Sequence, residues 1–294
     1  MMRTALVLAA AALLVGGAGA PAAAAVEAVD DTGQRIVLPR PAKRVITLAP
    51  SATELVHAAG GGAHIVATVA TSDWPPSARD LPRIGDAFAV DLERVAVLAP
   101  DLVVTWPYTV PAHVAQLRGR GIPVFVIDPR TIDAIPRAVR SLGALLGTAR
   151  DAEPVAHAFE QRLAALRERY RGTRPLRVFY EVWGSPLYTI GRGHVITQAI
   201  ELCGGRNVFA DVDVPAPNIT AEAVIAAQPD VIVAGAEGGR RPEWLDAWQR
   251  YPSIPAVAHG ALHVVDADAL HRPGPRFIDG VASLCATMDR ARSR

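Results

Sequence analysis

Long apolar runs, charge of one sign, cysteine and catalytic motifs are all scarce in this chain of 294 residues. The one clear apolar run occupies residues 5–15, preceded by Arg3 and followed by small residues at 23–25. That is the layout of a secretory signal peptide over residues 1–25, too short to span a bilayer comfortably. A retained N-terminal anchor is the alternative. No other stretch approaches a membrane span, so the exported remainder is expected to be soluble. Lys and Arg number 30 against 29 Asp and Glu, without charge runs, which argues against a nucleic-acid surface. The only cysteines, Cys203 and Cys285, are too far apart for a CxxC motif. In an exported chain they favour one structural disulfide, with two free buried thiols as the alternative.

No nucleophile elbow, P-loop or H-E-x-x-H is present. The eight histidines are scattered without metal-ligand spacing, so a structural role is the default for each. His271 stands apart, in a loop with Arg272, Pro273, Gly274 and Pro275. An axial ligand on iron or cobalt would be such a neutral imidazole.

What is present is alternation of strands and helices around a central helical stretch. In residues 151–171 the apolar positions Ala152, Ala156, Phe159, Leu163, Leu166 and Tyr170 recur in steps of three and four. Asp151 is the expected N-cap, with Pro154 in the first turn. About twenty residues make a rod of roughly 30 Å, which reads as a spine joining two lobes. One large α/β domain with a surface helix is the alternative. Before the spine, residues 26–41 read as a small hairpin, and strands are expected at 44–48, 65–70, 102–105 and 124–127. Helices are expected at 92–98, 110–120 and 132–146, and Ser51 and Glu54 have capping-box spacing at the start of a helix ending at 60–62. After it, strands at 177–182, 231–234 and 263–265 alternate with helices at 195–202, 221–227, 244–251 and 276–290. This pattern predicts an α/β fold with parallel sheets covered on both faces.

Two self-similarities flank the spine in the same order. DLERVAVLAPDLVV at 91–104 aligns without a gap to TAEAVIAAQPDVIV at 220–233, matching Glu93 to Glu222. TELVHAAGG at 53–61 aligns with TQAIELCGG at 197–205. Together they argue for two related lobes. Aromatic and apolar residues collect in loops at the expected strand ends: Trp74, Phe88, Trp106 and Tyr108 in the first lobe, Trp183, Tyr188 and Leu270 in the second. Ligands of parallel sheets sit at such ends, and large apolar ligands need such walls. Trp244 and Trp248, four apart, read as packing residues.

Several ordered motifs extend this reading: RVITLAPSATEL at 44–55, SDWPP at 72–76, DLERVAVLAPDLVVTW at 91–106, PLYTIG at 186–191, CGGRNVFAD at 203–211, VPAPNIT at 214–220 and PGPRFIDGVASLC at 273–285. Together they resemble the cluster A-III periplasmic substrate-binding proteins, the branch that supplies vitamin B12 to ABC importers. The resemblance implies two Rossmann-like lobes with parallel sheets, at 26–148 and 173–294, joined by one backbone helix at 149–172. It implies a Cys203–Cys285 disulfide and two glutamates, Glu93 and Glu222, that dock on a membrane permease. It also implies a monomeric, non-enzymatic periplasmic receptor without a cofactor of its own, its cargo cobalamin or a similar corrinoid. The expected ligand contacts are Trp74, Phe88, Trp106, Tyr108, Tyr188, His271 and Arg272. The chain departs from the family pattern at Ala87, Ala216 and Ala269-Leu270, where aromatic rings are expected. The alternatives within the family are a haem receptor using His271 or Tyr108, and a ferric-siderophore receptor using Arg192, Arg272 and Arg276. A secreted α/β enzyme is the alternative from another class.

Overall fold

The computed structural model describes residues 24–86 and 89–293, so residues 1–23 of the expected signal peptide, with Ala87 and Phe88, lie outside the described residues. An antiparallel hairpin, β1 (Val26–Val29) and β2 (Arg35–Leu38), opens the described chain. Four strands follow: β3 (Val45–Thr47), β4 (Ile65–Thr68), β5 (Leu102–Thr105) and β6 (Val124–Val126). They form a parallel sheet in the order β4-β3-β5-β6. Every residue of β3, β5 and β6 is buried, which is why these strands read as short apolar runs rather than alternation. Helices α1 (Pro50–Ala58), α2 (Leu92–Leu98), α3 (Pro111–Gly119) and α4 (Ala134–Leu146) connect or flank them. The hairpin turn closes the outer edge of this sheet. Asp30 accepts the Val126 amide at 3.2 Å, and the Asp31 amide donates to the Val126 carbonyl at 3.1 Å.

The long helix α5 (Ala149–Arg169) comes next, followed by the second sheet. Its strands are β7 (Leu176–Gly184), β8 (Leu187–Thr189), β9 (Gly205–Asn207), β10 (Val231–Ala236) and β11 (Leu262–Asp266). The order is β11-β10-β7-β8, with β9 pairing the start of β7 and only β8 antiparallel. Helices α6 (Val195–Leu202), α7 (Ala221–Ala227), α8 (Glu243–Asp246), α9 (Pro255–Ala258), α10 (Ala267–Leu270) and α11 (Phe277–Arg292) complete this lobe. Strands β8 and β9, three residues each, are too short for periodicity to reveal.

The spine stripe is realised: Ala152, Ala156, Phe159, Leu163 and Tyr170 are buried in one core continuous with both sheets. Its start differs from expectation. The helix begins at Ala149, three residues earlier than an Asp151 N-cap would start it, with Thr148 at the N-cap and Pro154 inside it. The capping box is likewise not formed. α1 starts at Pro50 with no side-chain cap, and Glu54 turns instead to Arg276 of the other lobe.

The repeat at 91–104 and 220–233 has structural causes. Asp91 caps α2 by accepting from Arg94 N, and Thr220 caps α7 by accepting from Ala223 N. Each helix ends on a left-handed residue, Ala99 (φ 41°) or Gln228 (φ 46°). A Pro-Asp follows, and the aspartate accepts from the backbone at the start of the neighbouring strand: Asp101 from Lys43 and Arg44 just before β3, Asp230 from Arg177 in β7. The disulfide joins Cys203 at the end of α6 to Cys285 in α11.

Candidate functional site

The carboxyl ends of the two sheets face each other across a cleft. From the first lobe, Trp106 and Tyr108 follow β5, and Asp128 and Arg130 follow β6. From the second come His194, the loop 214–216, and Leu270 with His271. They enclose a cavity of about 300 Å³. Trp106 and Tyr108 pack edge to face, ring centroids 5.1 Å apart, and Tyr108 is 53% exposed. The buried Nε1 of Trp106 has no hydrogen-bond partner among the described residues, so a donor waits in the wall.

His271 lies where this cavity meets two others, of about 450 and 630 Å³. It shares a 3.0 Å hydrogen bond between Nε2 and the Tyr180 hydroxyl. Gly235 makes room for the pair, because a Cβ there would lie 2.6 Å from both atoms. Burial pushes the His271 pKa down to about 4, so the ring is neutral at physiological pH. His194, not anticipated as a site residue, lines the same cavity. Its Nδ1 accepts the Ile196 amide at the start of α6, which places its proton on Nε2. Burial, with the nearby His271 and Arg130, also holds its pKa at about 4.

The remaining expected contacts are distributed differently. Trp74 is 41% exposed and lines none of these three cavities; the Arg276 guanidinium lies 4.7 Å over its ring. Arg272 borders the 450 Å³ cavity but is held by Asp73 at 2.5 Å and Asp268 at 2.9 Å. Arg276 and Glu54 form a bidentate pair between the lobes, at 2.9 and 2.7 Å. Tyr188, on β8, does not line these three cavities; its backbone bridges to Asn218, supporting the loop that carries Val214, Pro215 and Ala216. Gly191 lets that loop approach, since a Cβ would meet the Val214 carbonyl at 2.2 Å. Trp248 is buried and donates to Glu181, as a packing residue should, whereas Trp244 lines the largest of the three cavities. Glu93 and Glu222 are exposed at matching second positions of α2 and α7, one on each lobe. Among the described residues no group of three or more His, Cys, Asp or Glu is placed to hold a metal ion.

Two parallel-sheet lobes on one long helix, with an aromatic-walled cleft between their strand ends, make a two-lobed receptor for a bulky ligand. The chain belongs to the periplasmic binding protein family, which matches residues 45–269. It is 34% identical over 264 residues to the vitamin B12-binding protein of Vibrio cholerae serotype O1, covering 90% of this chain and 95% of that one. The crystal structure of the periplasmic vitamin B12-binding protein BtuF of Vibrio cholerae matches with a TM-score of 0.80 and 34% identity, covering 86% of this chain and 99% of that chain. The periplasmic haem-binding protein RhuT from Roseiflexus sp. RS-1, in its apo form, matches at 0.73 with 28% identity, over 85% and 98%. The protein is periplasmic, and no helix among the described residues is long and apolar enough to cross a membrane.

Proposed function

We propose that this protein binds a corrinoid, vitamin B12 or a close relative, between its lobes and delivers it unchanged to an inner-membrane ABC permease. The observation that carries the reading is the cleft itself. Trp106 and Tyr108 on one side oppose Pro215, Leu270 and His271 on the other, within a chain 34% identical to a vitamin B12-binding protein over nine-tenths of its length. Affinity comes from burying a flat macrocycle against these walls, while the N–H groups of Trp106 and His194 meet acceptors on its rim. Arg272 borders the cleft, Trp74 under Arg276 contacts the ligand from the first lobe, Tyr188 supports the cleft's loop, and Glu93 and Glu222 face the permease. No step breaks or forms a covalent bond.

A haem ligand is the second reading, favoured by the likeness to RhuT and by the exposed Tyr108 hydroxyl. His271 is the poorer iron ligand of the two, because its Nε2 is engaged by Tyr180. Calorimetric titration with cyanocobalamin, and with haemin in parallel, tests both. One-to-one binding of cyanocobalamin alone is expected. Binding of haemin alone, with a Soret shift lost in Tyr108→Phe, would overturn the corrinoid reading in favour of haem.

A further inference from the structure

The cleft continues past His271 into the 630 Å³ cavity, which lies within the second lobe and shares this histidine with the main cavity. Two indoles wall it, Trp183 near the end of β7 and Trp244 on α8. Trp244 is fixed in place: Gly184 lies against it, and a Cβ there would sit 2.4 Å from the Trp244 Cγ. Trp183 is 58% exposed, yet its Nε1 donates to the Ser185 carbonyl at 2.8 Å, so the ring is oriented although it is open to solvent. An oriented aromatic face offers contact area at small entropic cost. Charge does not select the occupant. Glu237 and Glu243 line the cavity with Arg240 and Arg241, and Arg241 is already paired with Asp246. Ring surface is what remains to recognise a ligand.

We propose that this cavity is a subsite for a flat, neutral heteroaromatic group tethered to the macrocycle, recognised by stacking on Trp183. The proposal rests on the corrinoid reading. In cobalamin, the group of that description is the benzimidazole of its nucleotide tail. His271 stands at the passage between the two cavities, and Ala216 leaves the main cavity with one wall position that carries no ring.

Trp183→Ala and Trp183→Phe test the subsite, each titrated calorimetrically with cyanocobalamin and with dicyanocobinamide, which lacks the benzimidazole nucleotide. Trp183→Ala is expected to weaken cyanocobalamin binding about tenfold or more, as loss of one base–aromatic stack does. Dicyanocobinamide should change by less than about twofold, and Trp183→Phe should recover most of the loss. Equal weakening of both corrinoids, or of neither, would overturn the subsite. If the wild-type chain binds neither corrinoid, the corrinoid reading fails and the subsite is judged with free α-ribazole. Fluorescence quenching present in the wild type and absent in Trp183→Ala supports the subsite; no quenching, or the same quenching in both, rejects it.

Discussion

Arg276, at the start of the last helix, grips both carboxylate oxygens of Glu54, which lies in the first helix of the opposite lobe. The Glu54 side chain is 1% exposed and that of Arg276 is 24% exposed. Burial raises the Glu54 pKa, and the guanidinium opposes that rise. Removing one partner leaves the other desolvated, so Glu54→Ala should cost about 3 kcal/mol in urea unfolding. Because the pair is shielded from solvent, 0.5 M salt should not reproduce the loss.

Glu181 supplies a pH signature. It is buried in β7, and desolvation pushes its pKa up to about 8 from an ordinary 4.5, while the Trp248 hydrogen bond pulls the other way. Between those values the native chain holds a proton that the unfolded chain has released, so this group makes stability fall as pH rises. Glu181→Gln keeps an acceptor for Trp248 and removes the ionisation. It should match the wild type near pH 4.5 and exceed it at pH 9 by several kcal/mol, at most about 5, in denaturant melts.

The left-handed helix ends give a gain rather than a loss. Ala99 and Gln228 carry a Cβ at φ 41° and 46°, where glycine is unstrained. Ala99→Gly and Gln228→Gly should each add about 1 kcal/mol, read as a higher urea midpoint at unchanged slope. Asp91→Ala removes the cap at the other end of α2 and should cost about 1 kcal/mol.

The legibility of this chain follows from how local each signal is. Helices α2, α6 and α7 and strand β5 match their expected limits because a cap, a periodic face or a Pro-Asp turn marks them within a few residues. The spine was legible from its stripe, but its first turn was not. The Thr148 hydroxyl donates to the carbonyl of Ala59, the residue that ends α1, so a contact distant in sequence sets where the helix begins. Glu54 misled for the same reason: S-x-x-E is local grammar, and its partner Arg276 lies in the other lobe. At the site, the loop aromatics Trp106 and Tyr108 were visible, being large apolar residues at strand ends. His194 was not, since nothing in one sequence says that a histidine will cap a helix and also line a cleft.

Reduction offers a further test. The Cys203–Cys285 bond closes a loop of 82 residues in separation and ties α6 to α11. The double variant Cys203→Ala/Cys285→Ala should lose about 4 kcal/mol on the chain-entropy account, and dithiothreitol should shift the wild-type melt in the same direction.

Docking can be separated from capture. Glu93 and Glu222 lie on exposed helix starts and line none of the cavities of the cleft. Reversing both charges, Glu93→Lys with Glu222→Lys, should leave cyanocobalamin affinity unchanged while slowing association with the permease at least about tenfold at low salt, measured by surface plasmon resonance.

The hairpin that opens the described chain has a meaning for a protein that folds among many copies of itself. An outermost strand with vacant amides and carbonyls is a template on which another chain can add a strand. At β6 the Val126 amide and carbonyl are both occupied, by the Asp30 side chain and the Asp31 backbone of the same molecule. The turn acts as a stopper on that flank, and a neighbouring copy meets a carboxylate where it would need a free rung.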